Sequence, residues 1–270
     1  MDQTFQDKTS LGRTGLKVGR LGISSSFGAP MKAFEEAFEK GCNYFTIGNL
    51  FRGLSKEMIG AILNISARGK RDELVVSMSE YTHIRAMGQL LFQRRLKKLG
   101  LDYIDVLFLG YYVRKPRERL IHWALELKEK GLVRNIGLSS HNRSLFPRLA
   151  EEGDFDVFHV RYNAANRGAE NDVFPLMPVE NRPGIVSFTA TRWGQLINES
   201  KMPPGEEPLS ASDCYRFVLS HPGVDLCMTG TRSLEMMREN LKTLELGPLN
   251  SEEMKRIRRI GDHVYGKKPD

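Results

Sequence analysis

GCNYFTIGNLFRGLSKEMIG, Gly41–Gly60, has the form of a strand, a loop and a capped helix. CNYFTI is a short apolar run of strand type, and Ser55 stands where an N-cap belongs, ahead of KEMIGAIL. In a parallel βα barrel, the side chains that do chemistry hang from the carboxyl ends of the strands and from the loops after them. Here those ends offer Thr46, Asn49, Phe51 and Arg52, with no acid, tyrosine or lysine among them.

The same alternation of strand and helix signals continues on both sides. LGRTGLKVGRLGISS places Gly15 between two short alternating runs, which predicts a β-hairpin leading into a first strand at Leu21–Ser24. MKAFEEAFEKG follows as a helix with Ala33, Phe34, Ala37 and Phe38 on one face and Gly41 at its end. After the second strand, CNYFTI, come RDELVVSMSEY, DYIDVLFLGYY, VRNIGLSS, FDVFHVRYN, GIVSFTA and VDLCMTG as strands three to eight. Helices are expected up to Gly100, from Arg117 to Gly131 and from Arg143 to Glu152. Three more are expected at Ser210–Ser220, Ser233–Leu244 and Ser251–Val264. This order predicts an α/β fold, a (β/α)8 TIM barrel with an N-terminal β-hairpin, in one domain over residues 1–270. No GxGxxG or GxxxxGK[ST] follows a strand, so the open doubly wound sheet lacks support. The KMPPGEEP loop (201–208) is placed to cover the barrel mouth.

A net charge of +7 suits an anionic small molecule. The basic clusters at 68–71, 94–98 and 255–259 read as solvated helix faces, and no nucleic-acid pattern accompanies them. Three widely spaced cysteines argue for reduced thiols, and their spacing builds no metal site. The polar start and the lack of a run of 18 apolar residues give a soluble, cytoplasmic expectation, with no membrane partner. No HExxH, GxSxG or paired carboxylate motif is present.

Period-two alternation assigns inward faces. In strand six a helix-covered outer face demands Phe158, Val160 and Tyr162, which leaves His159, Arg161 and Asn163 inside. An inward arginine is costly unless paired or ligand-bound, so Arg161 either meets an internal acid or anchors an anion. The same counting sets Ser79 with Tyr81 and Gly110 with Tyr112, and so aims Tyr112 into the mouth beside Tyr81. His141, in SSHN at the end of strand five, is placed either for a ligand contact or for holding its loop.

LGRTGLKVGRLG, the Gly41–Gly60 stretch, LGLDYIDVLFL and ALELKEKGLVRNIGLSSHN together resemble the aldo-keto reductase family over essentially the whole chain, in a divergent bacterial branch. The resemblance implies a barrel that binds NADP(H) or NAD(H), with NADP(H) expected ahead of NAD(H), and passes hydride between nicotinamide and a carbonyl. The family's aspartate, tyrosine, lysine and histidine positions align with Thr46, Phe51, Ser79 and Gly110, so all four are substituted. Phenylalanine cannot donate a proton, and no lysine is left to lower a phenol pKa.

On the nucleotide side, the resemblance implies contacts from Ser139, Ser140 and His159 to the carboxamide and a stacking face from Phe188, followed by Thr189. It further implies phosphate contacts from Gly230, Thr231, Arg232 and Ser233, and adenine contacts from Arg238, Glu239 and Asn240. Three functions stay open. One is an oxidoreductase with a rebuilt relay, using Tyr112, Tyr81 or His159 as proton donor and Arg161 or His141 toward a small, anionic substrate. Another is a pseudoenzyme that binds the nucleotide and reports to a protein partner. The third is a non-redox isomerase or lyase using Arg161 and His159.

Overall fold

The computed structural model describes residues 4–48 and 54–266. Asn49, Phe51 and Arg52, named above, lie outside the described residues. Two short antiparallel strands, β1 (Thr9–Ser10) and β2 (Lys17–Val18), form the expected hairpin around Gly15. Eight parallel strands then close on themselves: β3 (Leu21–Ser24), β4 (Tyr44–Ile47), β5 (Val75–Glu80), β6 (Ile104–Tyr112), β7 (Val133–Ser140), β8 (Val157–Arg161), β9 (Gly184–Phe188) and β10 (Leu226–Gly230). β10 pairs with β3, which closes the barrel.

The helices are α1 (Met31–Glu39), α2 (Lys56–Ile65), α3 (Arg85–Leu99), α4 (Glu118–Glu129), α5 (Leu145–Glu152), α6 (Ala169–Asp172), α7 (Ala211–Leu219), α8 (Leu234–Leu241), α9 (Thr243–Leu246) and α10 (Ser251–Tyr265). Ser55 caps α2 through a hydrogen bond from the Met58 backbone N–H at 3.2 Å, as its position predicts. The β8–β9 connection departs from regular alternation. Its only helices are four-residue α6 and a 3-10 turn at Phe174–Leu176, because Pro175, Pro178 and Pro183 remove backbone donors there. The loop around 201–208 lies against α10, where Arg256 and Arg259 both bind the Glu206 carboxylate.

Strand alternation divides the apolar side chains into two clusters. Tyr44, Val75, Val106, Phe108, Val157, Val186 and Leu226 fill the inside of the barrel together with Leu11 and Val18 of the hairpin. The other face of each strand packs on the helices, as Phe158 does on Phe146 at 5.0 Å between ring centroids. At the amino ends of the strands, buried Asp105 and Asp225 and partly buried Asp156 each accept a backbone N–H from the neighbouring strand: Asp105 from Val76, Asp156 from Ile136 and Asp225 from Ile185. Arg71, Lys128 and Arg182 pair with these three carboxylates. A buried carboxylate is retained only with such partners, so this end of the barrel is committed to holding the strands together. The carboxyl ends are left for chemistry. No helix of the described residues is long and apolar enough to cross a membrane.

Candidate active site

At the carboxyl ends of β4, β5 and β6 the inward positions are Thr46, Ser79 and Gly110, in phase with interior Tyr44, Val75 and Phe108. Thr46 Oγ1 lies 2.7 Å from Ser77 Oγ, so this side of the interior is lined by neutral hydroxyls. Tyr81, immediately after β5, lays its ring on Gly110. A Cβ built at 110 would stand 2.6 Å from Tyr81 Cε1 and 2.7 Å from Cδ1. The Tyr81 hydroxyl meets the Ser79 side chain, while burial holds the phenol pKa above its ordinary value. Tyr81 therefore occupies the space that short residues at 79 and 110 leave open. It also depends on them, because any side chain at 110 would meet its ring.

The structure corrects the expectation for Tyr112. Leu109 pairs with Leu138 but Tyr112 pairs with Ser140, so three steps on β6 match two on β7. The extra residue is accommodated at Tyr111, whose φ is 64°. Such a bulge reverses the alternation after it. Tyr112 is consequently turned to the helix side, where its ring stacks on His83 at 4.2 Å between centroids. Burial, with Glu80 adding to it, pushes its phenol up to about 12. Tyr111 takes its place at the mouth, 61% exposed and edge-on to His141 at 6.3 Å. Alternation misses this exchange because it contains no signal for an inserted residue.

On β8, His159 and Arg161 point inward as expected. His159 stacks on interior Phe108 at 3.6 Å, and its Nε2 is buried with no hydrogen-bond partner among the described residues. Burial lowers its pKa to about 3, so an imidazolium that donates a proton is scarcely populated near neutral pH. Arg161 is half-buried, and no described carboxylate pairs with it. Its field reaches His141, whose pKa is lowered first by burial and then by this guanidinium. His141 in turn lies 5.7 Å from the Phe188 ring. Asn163 does not face the mouth. It is fully buried and closes a turn by accepting the N–H groups of Ala165 and Asn166.

The positions expected to hold a nucleotide separate into two groups. Ser139 and Phe188 stand inward at the mouth, Thr189 follows Phe188, and Arg232 is exposed with no ion pair among the described residues. Thr231 Oγ1 is buried without a partner among those residues. Gly230 carries the Phe27 ring where a Cβ would be, at 2.2 Å, and Ser233 caps α8. Two orphaned buried polar atoms and an unpaired cation at the carboxyl ends fit a polar, anionic group with hydrogen-bonding capacity.

The remaining positions are engaged elsewhere. Ser140 Oγ donates to the Tyr112 carbonyl at 2.6 Å and accepts from the Asn142 N–H at 2.9 Å. Arg238 binds Glu36 through two hydrogen bonds of 2.8 and 2.7 Å, and Glu239 pairs with Lys242 at 2.6 Å. Asn240 is buried, its amide donating to Thr229 Oγ1 at 2.8 Å. Its amide nitrogen is thus engaged inside the fold, where Asn240 is 4% exposed.

The aldo/keto reductase family model matches residues 19–209. The uncharacterized oxidoreductase YqkF of Bacillus subtilis (strain 168) is 21% identical, over 93% of this chain and 95% of its own. The NADH-specific methylglyoxal reductase of Escherichia coli (strain K12) is 24% identical, over 56% of this chain and 57% of its own. The holo form of aldo-keto reductase AKR11C1 from Bacillus halodurans superposes with a TM-score of 0.76 at 20% identity, covering 94% of this chain and 96% of that one.

Proposed function

The chain belongs to the aldo/keto reductase family, and from that premise we propose that its barrel mouth binds a nicotinamide dinucleotide and reduces small carbonyl compounds with Tyr81 as the proton donor. The observation that carries this reading is the Tyr81 phenol, packed on Gly110 with its hydroxyl at Ser79. Ser139, Phe188, Thr231 and Arg232 would hold the nucleotide. Thr231 Oγ1 and His159 Nε2 would gain the partners they lack. NADP(H) is preferred to NAD(H) because Arg232 offers a free cation for an extra phosphate. When bound, the nucleotide supplies hydride to the carbonyl carbon. Tyr81 gives the matching proton to the carbonyl oxygen, and its phenolate recovers one from water, which reaches this half-buried ring.

The direction of the phenol shift favours a second reading. Burial raises the Tyr81 pKa, with Arg95 opposing it only in part, and among the described residues no lysine acts on it to stabilise the phenolate, so donation is slower than from a lysine-tuned phenol. Carried to its limit, this gives a nucleotide-binding protein without turnover, acting through a protein partner.

One experiment separates the two. NADPH and NADH are titrated against the fluorescence of exposed Trp193, on the loop after β9; Trp123 is buried against Phe92 and reports little. A carbonyl panel then follows loss of reduced-nicotinamide absorbance in wild type and Tyr81→Phe. Binding with turnover that Tyr81→Phe abolishes supports the reductase, and binding without turnover supports the second reading. No binding at millimolar nucleotide overturns both.

A further inference from the structure

Of the charged side chains directed into the barrel mouth, Arg161 is the one whose placement the fold leaves unexplained. Inward orientation is set by β8 alternation, and its backbone pairs in register with Phe188 on β9. Turning a guanidinium inward removes part of its hydration, and proteins balance that cost with a carboxylate or a cluster of acceptors. No described residue offers Arg161 either one. Its opposite is seen nearby: Arg143, Arg167 and Arg258, around the same β7–β8 rim, are matched with Asp172, Asp262 and Glu170. The rim thus pairs its surface arginines and leaves the interior one open.

The surroundings of Arg161 define what would fill the gap. Tyr111, His141 and Phe188 form a chain of edge-on rings at 6.3 and 5.7 Å, a wall that runs from β6 to β9 beside the guanidinium. Tyr111 reaches it only through the strained φ of 64° at the β6 bulge. Planar walls with one buried-side cation suit a small molecule that is flat and singly anionic. Guanidinium matches a carboxylate by two parallel hydrogen bonds.

We infer that Arg161 is the anchor for the carboxylate of a small 2-oxo acid, whose planar oxo-acid group lies along the Tyr111–His141–Phe188 wall. This rests on the carbonyl-reductase reading and adds the substrate class. Arg161 positions the substrate and takes no part in proton transfer. The pKa of His141 is lowered by burial and then by the Arg161 guanidinium, so His141 responds to the charge on Arg161 as a built-in reporter.

The test uses the full chain without nucleotide, with pyruvate as probe and methyl pyruvate as its uncharged counterpart. The imidazole resonance of His141, assigned by its loss in His141→Asn, is titrated with pH in wild type, Arg161→Gln and Arg161→Lys. Pyruvate is expected to bind wild type and raise the His141 pKa, since a carboxylate on Arg161 cancels its field. Arg161→Gln is expected to raise that pKa without any ligand and to weaken pyruvate by about tenfold or more, the value of one charge-assisted hydrogen bond. Arg161→Lys should keep part of the affinity. Equal binding of pyruvate and methyl pyruvate overturns the inference. So does unchanged pyruvate affinity in Arg161→Gln, an unmoved His141 pKa in that variant, or no pyruvate binding to wild type. Because no nucleotide is present, failure of nucleotide binding is seen separately in the Trp193 titration and leaves this result intact.

Discussion

The ring of Tyr81 rests on the bare Cα of Gly110, so close that a methyl group at 110 would stand 2.6 Å from Tyr81 Cε1. The two residues are therefore one unit, although one follows β5 and the other lies on β6. Gly110→Ala is expected to cost about 1–3 kcal/mol by overpacking, and the cost should largely vanish in a Tyr81→Ala background. Urea unfolding of the two single variants and the double variant gives the coupling. Additive effects would refute the unit. Placing aspartate, tyrosine, lysine and histidine at 46, 51, 79 and 110 should accordingly require that Tyr81 be shortened as well, because a histidine at 110 would meet its ring.

Tyr81→Phe removes the proposed donor while keeping the ring on Gly110. A fall in kcat/KM of roughly 10²–10⁴ is expected, with nucleotide affinity unchanged. On that proposal the working form is the protonated phenol, and its pKa is raised above the ordinary 10.0. The rate assigned to Tyr81 should hence be flat through neutral pH and decline only as pH passes that raised value. A decline beginning near neutrality would point to a different donor.

His159 ties stability to acid. Its folded pKa is depressed from 6.5 to about 3, so the unfolded chain binds a proton across that window and the folded one does not. The contribution is complete above the unfolded value and is lost as pH falls, at about 1.4 kcal/mol per pH unit at most. His141 and His221 are lowered in the same direction, so the comparison is with His159→Gln. Urea midpoints should fall less steeply with acid in that variant; parallel profiles would show that His159 is not held neutral.

Thr231 has a buried hydroxyl with no partner among the described residues. Thr231→Val leaves the shape almost unchanged and removes that buried polar atom, so the free protein should be as stable as wild type or slightly more so. If that hydroxyl serves the nucleotide, NADPH binding should weaken by roughly tenfold at the same time. Lower stability with intact nucleotide affinity would assign Thr231 to the fold alone.

Tyr111 holds a φ of 64° while 61% exposed, so its strain is not repaid by burial of its ring. Tyr111→Gly should keep or raise stability, by about 1 kcal/mol, and should weaken pyruvate at the mouth. A clear loss of stability on thermal unfolding would mean that the ring, rather than the bulge, is structurally required.

The sequence by itself determined the barrel. Eight apolar runs with helical stretches between them, Gly15 in the hairpin, Ser55 at its cap and the inward set on β8 are all local patterns, and local backbone preference with burial is enough to fix them. It also determined which residue types stand at Thr46, Ser79 and Gly110, since identity needs no coordinates. Only the tertiary structure decided what packs around them. Tyr81 covers Gly110 because two strands meet there, and Tyr111 supplants Tyr112 because one inserted residue on β6 reverses the alternation. Asn240 is withdrawn from the surface by a hydrogen bond to Thr229, on another element. Each depends on a contact between elements, whereas the pattern along one strand carries no record of its neighbours.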